Sequence, residues 1–532
     1  MEEVITATCI APINIAVVKY WGKRDDKLIL PVNDSISGTL STDQLCAKTT
    51  IAASPTYTET KYWLNGIEGD YKSNVRMKNV IKAMKKLAKK KCPKNKALKY
   101  KLHICSINNF PTAAGLASSA AGYSCLVYTL AQLYGIDNED LTPIARVGSG
   151  SACRSLNGGF VHWLKGVSPT GEDSVAVQLC DENYWPEMRV LIIVVNEGKK
   201  AVSSTSGMSS TTTTSELFNY RIMKCVPERV RLMKKAIAER NFKDFGELTM
   251  KDSNQFHAVC LDTYPPCVYM TDVSHRIAAI IHGYNKNAGE TCVAYTFDAG
   301  PNVCVYLLEK EVRRFVTMLA AFFPCDAYDE GKFVRGIPIK YLSKISEEYM
   351  TNLGGSSYIE RDRVKYIIHT KLGSGPKRLD DPDDSLLGAD GLPKANPKVQ
   401  SSIEQEASAP PCEPHEVPPE NVMYLGVPWG PQWAEQWLAQ WGKPNGASWG
   451  GHGFPFGAPP GIAIKMDAAL MSKVKIESTE SSKSTSSSNE SDDATTSAER
   501  PDRQNAFQDL ESKASTLNKL MDVDVEMNRM NQ

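Results

Sequence analysis

Between Pro111 and Gly122 the chain reads PTAAGLASSAAG, twelve positions without a charge, in a protein whose residues are 23% charged. The stretch continues as YSCLVYTLAQLY to Tyr134, a helical run that is apolar on nearly every side and therefore belongs in an interior. A loop of small residues lets backbone N–H groups approach an anion, and a helix that follows adds its positive N-terminal end. Gly115 permits an unusual backbone angle. Ser118 and Ser119 are placed to cap the helix and to donate to phosphate or magnesium. No lysine follows, so this is not the GxxxxGK[ST] phosphate loop. From composition alone, a small-residue helix packed across a sheet reads equally well.

What surrounds the stretch falls into two regimes. From Met1 to about Leu372, strand-like and helix-like segments alternate with short punctuation. VLIIVV (Val190 to Val195) is a buried strand by pattern, and CVAYTF and VCVYLL are two more, joined by the turn-forming DAGPN. VIKAMKKLAKK places Ile81, Met84, Leu87 and Ala88 on one helical face, and Val226 to Ser253 has helical spacing with charged flanks. Mixed strands and helices over about 370 residues predict an α+β protein of two lobes, with residues 1–190 forming the first and 191–372 the second. Beyond Leu372 the composition shifts. Half of the 30 prolines lie between Pro376 and Pro460, and Ser478 to Glu499 is a polar low-complexity tract. Such a composition cannot bury enough apolar surface to offset the entropy of ordering, so residues 373–532 read as a mostly disordered extension. Two islands within it, the Trp429, Trp433, Trp437, Trp441 stripe and the Phe507, Leu510, Leu517, Leu520 set, have helical spacing and could dock on a partner or on the core.

Charge excludes some functions. Lys plus Arg and Asp plus Glu both total 61, so no global field favours nucleic acid or an anionic membrane. The run Lys78 to Lys101 carries eleven lysines and no acid, but a single aromatic residue, Tyr100, makes no interleaved platform for base stacking, and the solvated face of an amphipathic helix explains it better. No apolar window is long enough for a membrane span, and the acidic N-terminus is unlike a secretory leader. The fourteen cysteines are scattered without CxxC spacing, which predicts reduced thiols, no zinc site and a cytoplasmic protein.

Several motifs occur together. PxxxGLxSSAA resembles the phosphate loop of the superfamily of galactokinase, homoserine kinase, mevalonate kinase and phosphomevalonate kinase. Ala117, where most of these have glycine, resembles one branch, the mevalonate diphosphate decarboxylases. APINIAVVKYWGKRD (Ala11 to Asp25), GSGSACRSLNGGF (Gly148 to Phe160), SSTSGM with SELF, and AYTFDAGPN (Ala294 to Asn302) are similar to the same branch, in the same order, over about residues 4–372. The resemblance implies the two-lobed fold of that superfamily, ATP and Mg2+ as nucleotide and cation, a homodimer, and conversion of (R)-5-diphosphomevalonate to isopentenyl diphosphate, CO2, ADP and phosphate in the route to isoprenoids and sterols.

The resemblance also implies a site. Gly115, Leu116, Ala117, Ser118 and Ser119 would hold ATP phosphates. Tyr20, Trp21, Gly22, Lys23 and Arg76 would line the substrate diphosphate end, with Ser149, Gly150, Ser151, Ala152 and Cys153 forming a turn against it, and with Thr211 nearby in a register uncertain by a residue or two. Arg154 matches a planar donor for the substrate carboxylate. Asp298 matches the catalytic aspartate that orients the tertiary hydroxyl, and Lys19, with Asn14 beside it, would neutralise the transferring phosphoryl group. Read alone, Asp298 fits better as a turn residue bonding its own backbone. A kinase that stops at the 3-phosphate shares the loop and the aspartate, and a scaffold built around the extension is a further reading.

Overall fold

A computed structural model describes residues 4–110, 118–137, 139–195, 201–325, 333–339 and 359–395, all within one compact unit. Gly115, Leu116 and Ala117 lie outside the described residues, as do both islands of the extension.

The helical and strand segments read from the sequence form close to where expected. Ser118–Tyr134 is a helix with eleven buried positions. Val75–Lys91 is a helix that buries Val80, Ile81, Met84 and Ala88 and leaves its lysines outward, with Asn74 accepting the Met77 N–H at its start. Val226–Ser253 is two helices, Val226–Ala238 and Phe242–Asp262, separated where Arg240 takes a left-handed φ of 49°. A π-helical turn, Arg221–Cys225, precedes the first of them.

Three sheets carry the architecture. The first has six strands; its centre is Ile5–Pro12, Cys46–Ser54 and Lys101–Asn108, paired antiparallel. The helices Val75–Lys91 and Ser118–Tyr134 cover one face of it, burying Ile51, Leu102, Ile104 and Leu130. The second sheet, four strands, includes Asn14–Val18, Ser35–Thr39 and Phe160–Trp163. The third, five strands, centres on Met188–Val194 between Val303–Leu308 and Tyr366–Lys371, with Val293–Phe297 outside the former. The helix Phe242–Asp262 packs between the second and third sheets, and one continuous apolar core runs from Ile13 and Ile36 through Phe245 to Val305.

The fold corrects the boundary at Leu372. Residues 373–395, read from composition as extension, return to the first sheet. Lys377–Leu379 pairs antiparallel with Ile5–Pro12, Lys48 Nζ donates to Asp384 Oδ1 at 2.5 Å, and Leu387 is buried with Trp63 and Cys105. His103 Nδ1 lies 2.8 Å from the Gly391 carbonyl and its ring stacks on Tyr57 at 3.7 Å. Proline and glycine density misled the reading because this strap is held by backbone pairing and a few anchors rather than by an apolar pattern. Its entry demands glycine: a Cβ on Gly373 would sit 2.5 Å from Ser41 Cα.

Candidate active site

The end of Asn14–Val18, the turn after Phe297, the Gly148–Ser151 turn, the start of helix Ser118–Tyr134 and the helix Ser204–Thr214 converge on a cleft of about 200 Å³. At its floor Lys19 Nζ donates to Asp298 Oδ1 at 2.6 Å, with the lysine side chain 3% exposed and the carboxylate 27%. Asp298 therefore does not spend its side chain on its own turn. The turn closes through the backbone instead, Gly300 N–H to Asp298 C=O at 2.8 Å.

Arg154 is the second fixed element. It sits in the short 3-10 helix Gly150–Leu156, buried, its guanidinium 5.6 Å over the Trp163 ring. Nε donates to Asn14 Oδ1 and Nη1 to Ser35 Oγ, both at 3.0 Å. Asn14 is held in turn, donating to the Ser151 carbonyl at 3.0 Å and to Ser155 Oγ at 2.8 Å. Among the described residues no carboxylate forms an ion pair with Arg154, and Nη2 has no hydrogen-bond partner. Burial lowers its pKa, opposed by the nearby Cys153 thiol and Asp298. A buried, lightly compensated guanidinium beside an open cleft is a built receptor for a planar anion.

The phosphate-loop serines join this arrangement. Ser119 Oγ and Ser149 Oγ are 3.1 Å apart, and both line the cleft with Ser118, Gly150 and Ser151. Tyr20 packs on Trp163 with ring centroids 4.6 Å apart. Burial pushes its phenol pKa up, and its hydroxyl has no hydrogen-bond partner among the described residues. Lys23 pairs with Asp26 at 2.6 Å and lines the rim, and Arg76 reaches across to Thr205 Oγ1 at 3.4 Å. Gly22 holds the YWGK turn, with φ 91° and its absent Cβ's place 2.4 Å from Phe218.

Three expected contacts point elsewhere. Thr211 is fully buried, accepting from Trp21 Nε1 at 3.0 Å and bonded to Thr263 Oγ1 at 2.7 Å. A buried indole N–H needs an acceptor, and Thr211 supplies it, while Ser204, Thr205 and Met208 of the same helix face the cleft. Ala152 turns into the core beneath helix Ser118–Tyr134. Cys153 packs with Val161 and Trp163, its thiol pushed up to about 12 by burial.

Other residues were not foreseen. His257 lies behind the Lys19–Asp298 pair. Burial and the Lys19 charge lower its pKa from 6.5 to about 3, so it stays neutral. Asp252 and Arg221 form a buried ion pair against the Lys19 backbone. The available signal was a carboxylate inside the apolar stripe Phe245, Thr249, Asp252, Phe256 of one helix. A second cavity of about 310 Å³ shares Ser118 and Ser119 with the cleft and is walled by Tyr62, Trp63, Met77 and Tyr123. Asn108 lines it, with its Oδ1 buried and without a hydrogen-bond partner among the described residues.

Among the described residues no helix is long and apolar enough to cross a membrane, no group of three or more His, Cys, Asp or Glu side chains is gathered for a metal ion, and the thirteen cysteines are free. The hard hydroxyl oxygens of Ser118, Ser119 and Ser149 nonetheless suit a magnesium ion whose other ligands are phosphate and water.

Comparison with known proteins matches residues 11–176 to the diphosphomevalonate decarboxylase-like N-terminal domain and 190–379 to the mevalonate 5-diphosphate decarboxylase C-terminal domain. The diphosphomevalonate decarboxylase of Bos taurus is 51% identical over 399 residues, 74% of this chain and 98% of the bovine one. The Saccharomyces cerevisiae enzyme of the same name is 45% identical over 406 residues, 74% of this chain and 99% of its own. A mevalonate 5-diphosphate decarboxylase solved by X-ray crystallography superposes with a TM-score of 0.63 at 43% identity, covering 73% of this chain and 99% of that one. The MDDEF protein, solved in complex with MVAPP, AMPPCP and magnesium, superposes with a TM-score of 0.55 at 29% identity over 71% of this chain and all of its own. With both domains matched in order and nearly the whole length of each relative covered, the chain belongs to the mevalonate diphosphate decarboxylase family.

Proposed function

We infer that the cleft carries out the family's reaction, ATP-dependent decarboxylation of (R)-5-diphosphomevalonate to isopentenyl diphosphate, with the residues in the following roles. The observation that carries the reading is a lysine–aspartate contact of 2.6 Å beside a buried guanidinium that lacks an anion.

The substrate diphosphate lies toward Tyr20, Lys23 and Arg76, with Ser149 and Ser151 completing its end of the cleft. Its carboxylate accepts from the Nη1 and Nη2 side of Arg154. The 3-hydroxyl then faces Asp298, which orients it and takes its proton late, because a carboxylate is too weak a base to ionise a tertiary alcohol outright. Lys19 offsets charge on the phosphoryl group in transit. Phosphoryl transfer to the 3-oxygen releases ADP. The C–O bond to the new phosphate then breaks, the C–C bond to the carboxylate breaks with it, and that electron pair forms the alkene as CO2 leaves.

Ser118, Ser119 and Ser149 would donate hydroxyl hydrogen bonds to ATP phosphates and would offer oxygens to magnesium, which when bound neutralises phosphate charge. The adenine fills the second cavity between Tyr62, Trp63 and Tyr123, where Asn108 Oδ1 accepts from its amino group. Because that cavity and the cleft share Ser118 and Ser119, one nucleotide spans both. The catalytic body is two lobes meeting near residue 190, with the strap returning to the first. A homodimer forms through the exposed apolar patch that includes Leu217, Tyr220 and Met223. A cytoplasmic location in a sterol-forming cell is supported by the free thiols.

Incubation of the purified protein with MgATP and diphosphomevalonate should release ADP and CO2 in equal amounts. ADP and a stable 3-phosphate without CO2 would establish the kinase reading instead.

A further inference from the structure

Lys19 stands one residue past the strand Asn14–Val18, where the sheet ladder has ended. Its backbone amide and carbonyl must therefore find other partners. The amide donates to Asp252 Oδ2 at 2.7 Å. The carbonyl accepts from Asn33 Nδ2 at 3.1 Å and from Arg221 Nη2 at 3.4 Å. Arg221 grips the same Asp252 with both arms, Nη1 to Oδ1 at 2.9 Å and Nη2 to Oδ2 at 3.0 Å, and Arg229 adds a third contact to Oδ1 at 3.0 Å. Arg221 and Asp252 are wholly buried.

This cluster is an expensive way to hold a core together. Removing the Arg221 guanidinium and the Asp252 carboxylate from water is costly, Arg229 remaining partly solvated, and apolar side chains of equal volume commonly do as well or better. Burial opposes ionisation of Asp252, yet the two arginines and the Lys19 N–H hold its pKa below the usual carboxylate range, so the charge persists. Arg221 reaches the site from the π-helical turn Arg221–Cys225, an irregularity of the kind concentrated at functional positions. The charges sit against the two peptide groups that flank one Cα, that of the lysine whose Nζ holds Asp298.

We propose that the Arg221–Asp252 pair is a positioning device for the reaction: it clamps the Lys19 backbone from the third-sheet side so that Nζ reaches Asp298 and the transferring phosphoryl group in one geometry. Neither residue touches substrate. The clamp acts through Lys19 and therefore on the chemical step, leaving ground-state binding by Arg154, Lys23 and the serines in place. Misplacing a reacting group by about 1 Å can cost on the order of 10²-fold in rate.

The proposal rests on Lys19 and Asp298 being the reactive pair, and its test separates the two ideas. Full-length Asp252→Asn, Lys19→Arg and the double variant are assayed for kcat and for KM with both substrates, after a thermal melt establishes folding. Asp252→Asn should lose about 10–10²-fold in kcat with each KM within about threefold of native. The double variant should be about as slow as Lys19→Arg alone, because a clamp on a displaced group has nothing left to lose. A folded Asp252→Asn with native kcat, or losses that multiply in the double variant, would overturn the clamp. If Asp252→Asn does not fold, Arg221→Lys keeps the charge but cannot span Asp252 and the Lys19 carbonyl, and it must show the same kcat loss. Native kcat in Lys19→Met would instead remove the reactive-pair reading, a result distinct from failure of the clamp.

Discussion

Replacing Arg154 with methionine separates the stability of this protein from its function in a measurable way. In the free protein the guanidinium donates two charge-assisted hydrogen bonds, to Asn14 and Ser35, each contributing about 1.5–3 kcal/mol. Its removal also leaves Asn14 Oδ1 unpaired, at about 1–3 kcal/mol. Against that, a buried cation without an ion-pair partner carries a desolvation cost of several kcal/mol. The terms oppose one another, so Arg154→Met should remain folded, with its melting temperature lowered less than the lost hydrogen bonds alone would give. Substrate recognition is another matter. Two charge-assisted bonds to a carboxylate, at about 1.5–3 kcal/mol each, amount to a loss of about 10²–10⁴-fold in affinity. The assay is a thermal melt with and without diphosphomevalonate. At a concentration 100 times the native Kd, ligand stabilises the native protein by about 2.7 kcal/mol. With Kd raised 100-fold, the same concentration gives only about 0.4 kcal/mol, and the ligand-induced shift all but disappears. Arg154→Lys should behave similarly, since an ammonium cannot make the planar two-point contact. A full ligand-induced shift in folded Arg154→Met would refute carboxylate recognition at this residue.

Three other outcomes are expected. Asp298→Ala should lower kcat by several orders of magnitude with little change in KM in steady-state ADP release; a tenth of native activity would count against its role. His257 binds a proton less readily when folded, so its contribution to stability is full above pH 6.5 and is lost as pH falls from there toward 3, by about 1.4 kcal/mol per pH unit at most; denaturant titrations of His257→Phe between pH 5 and 7 should show a correspondingly flatter dependence. Ending the chain after residue 372 should cost at least the about 1.5–3 kcal/mol of burying Leu387 and lower the melting point, whereas ending it after residue 395 should preserve both melting and turnover.

The sequence was most readable where side-chain periodicity and burial coincide. The helix Ser118–Tyr134 and the strand Met188–Val194 are apolar on nearly every side, and their positions follow from that pattern. Lys19, Arg154 and Asp298 were readable only through motif resemblance, because a buried lysine, a buried arginine and a turn aspartate each have commoner uses. Thr211 went astray since four successive threonines give no sign of which one faces an indole N–H. Asp252 and Arg221, 31 residues apart, carry no mutual signal until the helix packs. The strap was misread because strand pairing through Lys377–Leu379 depends on backbone geometry, which composition does not record.

That pairing has a bearing on how the protein is made. Ile5–Pro12 emerges long before Lys377–Leu379, its neighbour on one edge. The opening sheet thus stays incomplete on the ribosome until nearly all of the catalytic body has been translated, an edge exposed for the whole interval and a natural client for chaperones. Residues 396–532 then take roughly 7–30 s to add at typical elongation rates, time in which the strap can close the sheet while synthesis continues.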